Sequence, residues 1–237
     1  MGLFDKKTCD ICGDSIGLLG NRKLEDGNMC KNCAARLSPF MTNRRRTTIA
    51  EIKEHLAYRD ANKDAVAAFN VTRTLGNNTK VLLDEDNHKF IVTSASKWRD
   101  SNPDVMDYAM ATGCYTEIKE NQTEIKRTNA DGKTESYNPK RYKTDYNFHT
   151  TIHINSPWFD EINFKINTNT IEQRGSVEFK EAERTSEEIR EALTSVRQEV
   201  RDAQAPKMAQ TCPKCGASTI PDASGCCEYC GTALSAT

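Results

Sequence analysis

Apolar and polar positions along this chain switch between two periods, and each switch marks a change of element. Ile49, Ile52 and Leu56 recur at helical spacing, the stripe by which an amphipathic helix packs. Thr48 stands at the N-cap position with Glu51 three residues on, the arrangement of a capping box. The stripe fades at Arg59-Asp60-Ala61-Asn62, so the helical segment 47–69 is expected to break there before Ala65-Val66-Ala67-Ala68-Phe69. From residue 70 the period falls to two. Val81-Leu82-Leu83, the turn Glu85-Asp86-Asn87 and Phe90-Ile91-Val92 predict a hairpin. Over 146–154, Tyr146, Phe148, Thr150, Ile152 and Ile154 fall on one face, with Asn147, His149, Thr151 and His153 on the other. Asn155-Ser156-Pro157 turns the chain, and Ile162, Phe164 and Ile166 repeat the alternation, as in an antiparallel sheet with one wet face. The segment 105–127 reads two ways: helical over Val105–Met110, then short strands at Cys114–Ile118 and Thr123–Ile125. The period returns to helical at 185–204. Thr185 with Glu188 makes a second capping box, and Ile189, Leu193, Val196, Val200 and Ala203 form one stripe.

The 237 residues are 37% hydrophobic, with 33 basic against 34 acidic side chains and a net charge of −1. That balance excludes a whole-protein basic field for coating nucleic acid and leaves room only for local patches. No apolar run reaches the ~18 residues of a membrane span. Met1–Lys7 carries no apolar signal region, and Lys6 stands where a myristoylation motif wants Ser or Thr. A cytoplasmic chain is expected.

Nine of the ten cysteines lie near the two ends, eight of them in C-x-x-C pairs. Without a secretory signal, that spacing points to metal rather than disulfides. Two C-x-x-C knuckles complete a tetrahedral Zn²⁺ site. Cys9, Cys12, Cys30 and Cys33 form one candidate set; Cys212, Cys215, Cys227 and Cys230 form the other. Using Cys226 instead of Cys227 would leave C-x-x-x-C with Cys230, so Cys226 stays outside the set. Two structural zinc ions are expected, although four thiolates accept iron as well. A redox role for the pairs fits less well, since paired knuckles are not how a thioredoxin-like site is built.

The C-terminal module, Cys212-Pro213-Lys214-Cys215-Gly216 and Cys227-Glu228-Tyr229-Cys230-Gly231, resembles the short zinc ribbons at the ends of many bacterial proteins. At the N-terminus, Cys9-Asp10-Ile11-Cys12-Gly13, Ile16-Gly17-Leu18-Leu19-Gly20, Leu24-Glu25-Asp26-Gly27 and the helix opening at Thr48 make residues 9–69 similar to a bacterial zinc-binding domain family of unknown function. A knuckle, a hairpin and a second pair opening a helix imply a treble-clef finger. In that resemblance a small pleckstrin-homology-like β domain often follows. The stretches Asn102–Glu117 and Phe148–Phe164 are similar to one. The resemblance implies fold and metal and brings no activity.

No nucleophile elbow, phosphate loop or EF-hand is present; Gly76-Asn77-Asn78-Thr79-Lys80 lacks the second phosphate-loop glycine, and Asp84-Glu85-Asp86-Asn87 reads as a turn. His149 and His153 share a strand face, but four residues at ~3.3 Å set them about 13 Å apart, too far to share an ion. Cys114 reads as a half-buried strand residue. Residues 1–46 hold nine basic and five acidic side chains, with Arg44-Arg45-Arg46 the densest run. These arginines are either a solvated hinge or a modest phosphate-binding face.

The expected architecture is α+β: a treble-clef-like finger (1–46), a connecting helix (47–69), an antiparallel, pleckstrin-homology-like β domain (70–205) capped by helix 185–204, and a terminal ribbon (211–237). The expected function is that of a non-enzymatic adaptor or scaffold binding protein partners. The alternative is nucleic-acid binding through the finger and Arg44, Arg45 and Arg46.

Overall fold

The computed structural model describes residues 7–204, 209–220 and 226–234, without the side chains of 195–204 and 210. It is a mixed α+β chain with antiparallel sheets, dividing into two compact units, Met1–Arg197 and Gln198–Thr237. Among the described residues no helix is long and apolar enough to cross a membrane.

The first unit opens with two minimal hairpins. Strand β1 (Lys7–Thr8) pairs with β2 (Ser15–Ile16), and β3 (Arg22–Lys23) with β4 (Asn28–Met29). A single helical turn, α1 (Lys31–Ala34), follows, then a 3-10 turn over Arg44–Arg46 and the long helix α2 (Ile49–Ala68). The capping box forms as the sequence predicts: Thr48 Oγ1 accepts the Glu51 amide, and Glu51 Oε2 accepts the Thr48 amide. Asp26 Oδ1 accepts the Ile49 amide at 2.8 Å, tying the finger to the same helix end. Gly27 lies where a Cβ would meet Ile49 Cδ1 at 2.6 Å and Asp10 Oδ2 at 2.7 Å, so a side chain here would have to displace both of those side-chain ends.

Helix α2 does not break at Arg59–Asn62; it runs unbroken to Ala68. Arg59 and Asn62, which interrupt its stripe, point inward and are buried, because the loop at 102–105 supplies their partners, while Asp60 stays exposed. Arg59 Nη1 pairs with Asp104 Oδ1 at 2.8 Å, and its Nη2 donates to the Asn102 carbonyl. Asn62 donates to Asn102 Oδ1 and the Pro103 carbonyl and accepts the Val105 amide. Ser38 Oγ, from the finger side, donates to the other Asp104 oxygen at 2.7 Å. One turn before Arg59, His55 lies parallel to the Trp158 ring at 4.8 Å, with its Nε2 accepting the Ser38 amide.

The rest of the unit is two antiparallel meanders and a helix. Strands β5 (Arg73–Leu75), β6 (Lys80–Asp84), β7 (Lys89–Thr93) and β8 (Met106–Asp107) pair in chain order. Strands β9 (Ala111–Thr128), β10 (Thr134–Ile154) and β11 (Glu161–Lys165) do the same. Helix α3 (Val177–Gln204) lays Phe179, Ala182, Ile189 and Leu193 into the core that Leu83, Phe90, Phe148 and Ile162 share. The hairpin β6–β7 reads as continuous apolar runs because both its faces are covered: Leu82 and Ile91 meet Phe69 and Trp98 on the far side.

Two further expectations are corrected. Residues 105–127 are not a helix followed by short strands; after the two-residue β8 and a 3-10 turn at Tyr108–Met110 they form most of one 18-residue strand, β9. Its distal half pairs with β10 as a ribbon with no core beneath it, so the apolar alternation that announces a strand is missing. Helix α3 begins eight residues before the expected 185, so Thr185 is interior and caps nothing. Ser176 Oγ accepts the Phe179 amide instead, at 3.2 Å. The stripe residues Val196, Val200 and Ala203 lie outside the described side chains. The second unit adds β12 (Gln210–Thr211) paired with β13 (Ser218–Thr219).

Asp104→Ala leaves the Arg59 cation buried without its partner, and a stability loss of about 3–5 kcal/mol is expected in denaturant unfolding. The double substitution Arg59→Met/Asp104→Leu, which removes both charges, is expected to cost less than Asp104→Ala alone. A second outcome concerns pH. Burial and the Arg59 cation lower His55 from 6.5 to about 4. The unfolded imidazole takes up a proton below pH 6.5 that the folded one refuses, so stability falls as pH drops from 6.5 towards 4, by on the order of 3 kcal/mol. Parallel unfolding of the parent and His55→Gln at pH 7.5 and pH 5 checks this, the shared response of the cysteine sites cancelling in the difference. The parent is expected to lose more stability than the variant.

Candidate metal centres

Three of the four C-x-x-C pairs fold the same way. In each, the glycine after the second cysteine returns its amide to the carbonyl of the first: Gly13 to Cys9, Gly216 to Cys212 and Gly231 to Cys227, all at 2.8 Å. These glycines hold φ of +80°, +70° and +67°, a backbone region that side chains with a Cβ rarely enter. The fourth pair is different. Cys30 and Cys33 open α1, and the Cys30 sulfur accepts the Cys33 amide as an N-cap. No glycine follows Cys33 because the helical turn itself brings the two sulfurs together.

The pairs converge into two clusters. In each, the four sulfurs of Cys9, Cys12, Cys30 and Cys33, or of Cys212, Cys215, Cys227 and Cys230, lie within 4.8 Å of one another. Cys9 and Cys33 are 4.0 Å apart, and Cys12 and Cys30 3.7 Å. Cys212 and Cys230 are 3.6 Å apart, and Cys215 and Cys227 3.7 Å. A tetrahedral zinc site with ~2.3 Å metal–sulfur bonds has sulfurs about 3.8 Å apart, whereas a disulfide needs ~2.05 Å. The donor sets therefore fit two structural zinc ions, one held by each cluster. Such an ion would hold its knuckles together; with all four donors thiolate, it leaves no position for water or substrate.

The electrostatics of the thiols agree. Burial raises Cys9, but amides from Cys12, Cys30 and Ile11 outweigh it and hold the thiol down at about 7. Cys33 is pushed up by burial and by the neighbouring sulfurs. In the second cluster the hydroxyl and amide of Thr232 lower Cys230 to about 6. Although the Ala217 amide lowers it, the Cys230 sulfur drives Cys215 up to about 12. Each cluster thus contains one thiol that ionises readily and at least one that holds its proton, and full ionisation is what a divalent cation in the middle would bring.

The remaining candidates are dispersed. Cys226 bridges to Ala233 through the backbone and is not among the clustered sulfurs. Cys114 sits half-buried against the main core, its thiol raised to about 11 by burial. His149 is half-buried and His153 exposed beside Tyr115. Asp84 is buried in its turn, accepting amides from Asn70 and Asn87. Arg44, Arg45 and Arg46 form the 3-10 turn before Thr47, and strand β3, with Arg22 and Lys23, packs against it. That pairing, and the buried Arg59–Asp104 contact, escape any reading by local spacing.

Residues 8–55 match the model of a family described as a domain of unknown function, DUF4428. The span has a physical rationale: Leu24, Met29 and the buried cysteines of the finger share one small core with Ile52 of α2, so finger and helix start pack as one. No curated protein and no solved structure matches the chain.

Native mass spectrometry of the reduced, purified protein is expected to show two zinc ions per chain. Cys9→Ser is expected to lose one, Cys227→Ser the other, and Cys226→Ser none. Protons compete with metal for the thiolates, so acidification is expected to release both ions.

Proposed function

We propose that this chain is a non-enzymatic cytoplasmic adaptor that presents surfaces to protein partners. The observation that carries the reading is the donor chemistry of the two clusters: eight cysteine sulfurs and no open coordination position, which suits a metal that shapes a surface and not one that activates a substrate. The pleckstrin-homology-like reading of the middle is supported by its four-stranded and three-stranded meanders, with a C-terminal helix laid on their common core. A domain of that kind with a metal-stapled module at either end is suited to holding partners.

Nucleic-acid binding is the competing reading, and its electrostatics set its strength. Arg22, Lys23, Arg44, Arg45 and Arg46 can neutralise about five phosphates, giving a log–log salt slope near −4.5, short of a binder with 6–10 contacts. No aromatic side chain interleaves with these five residues for base stacking. Fluorescence anisotropy with DNA and RNA across a salt series, beside cross-linked pull-downs from the native host, separates the two. The adaptor reading expects a stoichiometric protein partner and nucleic-acid affinity lost at ~150 mM salt. Sub-micromolar nucleic-acid affinity at that salt, abolished by changing Arg44, Arg45 and Arg46 to alanine, reverses it.

A further inference from the structure

Strands β2 and β3 are joined by Gly17-Leu18-Leu19-Gly20-Asn21, with the Gly20 amide donating to the Gly17 carbonyl at 2.9 Å. Leu18 and Leu19 are 86% and 89% exposed, more than any other large apolar side chain among the described residues. The finger does not need them for its own packing, which Ile16, Leu24 and Met29 supply with the cysteines and α2. A scattered exposed leucine is unremarkable, but two adjacent ones at the tip of a turn ask for an apolar phase.

That tip sits beside positive charge that forms no ion pair among the described residues, although the Glu25 amide donates to the Thr47 carbonyl next to Arg46. Arg22 folds back on it, its Nη1 donating to the Leu19 carbonyl at 3.2 Å. Arg22 and Arg45 in turn crowd the half-buried Arg44, whose Nε is enclosed and has no acceptor among the described residues. Among the described residues no carboxylate pairs with Arg22, Lys23, Arg44, Arg45 or Arg46. The sequence holds no acidic residue between Asp26 and Glu51. Two of the finger's own acids are engaged in structure, Asp10 accepting the Asn28 amide and Asp26 the Ile49 amide.

We propose that this end of the finger docks peripherally on an anionic lipid surface, the two leucines entering the interface while the cations lie on the headgroups. A bilayer offers both an apolar phase and dense negative charge at one boundary, and stable peripheral binding takes two such signals together. A nucleic-acid groove supplies the charge, but it seats leucines only by unstacking base steps, a cost that a bilayer does not impose. The inference stands apart from the adaptor reading, since a finger held at a membrane need not recruit a protein.

The test is flotation of the full-length, zinc-loaded chain with phosphatidylcholine vesicles, with and without phosphatidylserine, at physiological salt. Binding to the phosphatidylserine vesicles alone is expected. Leu18→Ser/Leu19→Ser is expected to weaken it at least about tenfold, and Arg45→Gln/Arg46→Gln roughly 30-fold. All four substituted side chains are exposed, and native mass spectrometry showing two zinc ions in each variant separates lost docking from lost folding. Absence of flotation with phosphatidylserine overturns the proposal, as does a leucine variant that floats like the parent. A duplex oligonucleotide that displaces the vesicles and binds the leucine variant undiminished overturns it too, and assigns the patch to nucleic acid.

Discussion

The contact that fixes α2 and the finger against the rest of the first unit is the buried pair between Arg59 and Asp104. It joins the middle of α2 to the loop between β7 and β8, with Ser38 completing the carboxylate's shell from the finger side. An ion pair with side chains 6% and 0% exposed is not a strong source of net stability, because both charges give up water to form it. What it provides is direction. A helix held by apolar contacts alone can slide by a turn at modest cost, whereas this one loses a charged hydrogen bond at any other register. The finger, built on the first turns of α2, inherits that fixed position.

Zinc answers a different constraint. Modules of roughly 25–40 residues cannot bury enough apolar surface to fold on that alone. In the terminal ribbon the buried cluster among the described residues is Cys212, Cys227 and Leu234, two of the three being candidate ligands. In the finger, Cys9, Cys30 and Cys33 stand among eight buried positions, and two of the others come from α2. The ligand sets therefore occupy the place of a core. The finger supplements its set with a helix, and the ribbon depends on its ligands more heavily.

What was legible in the sequence was local. The capping box at Thr48, the hairpin around Glu85–Asn87 and the alternation over 146–154 each rest on residues a few positions apart. The cysteine pairs were legible because the knuckle is itself a short-range device. Failure came where partners are remote. Arg59 and Asn62 looked like a break because the loop that satisfies them lies about forty residues away. Thr185 and Glu188 imitate a cap, while Phe179 and Ala182, the true start of the stripe, are set among charged residues that mask it. The length of β9 was hidden because backbone pairing alone, with no alternating side chains, holds its outer half. The neighbourhood of Arg22 and Arg44 is likewise a product of folding, with no trace in spacing.

The outer half of the β9–β10 ribbon has one more consequence, which concerns how such a chain can change over generations. Beyond Lys119 and Asp145 both faces are solvated, and four residues of β10 between Ser136 and Arg141 already have no opposite number on β9. Nothing in the core fixes how many rungs this part must have. Loss or gain of two residues on each strand keeps every inward side chain of the lower ribbon inward, because the pleat repeats every second residue. A single-residue change on one strand does not have that freedom unless a bulge absorbs it, as the irregularity at 137–140 absorbs four residues of β10. Ribbon length is thus a quantity the fold leaves open, adjustable in steps of two without disturbing the packed end, and chains built on this plan are free to differ there most.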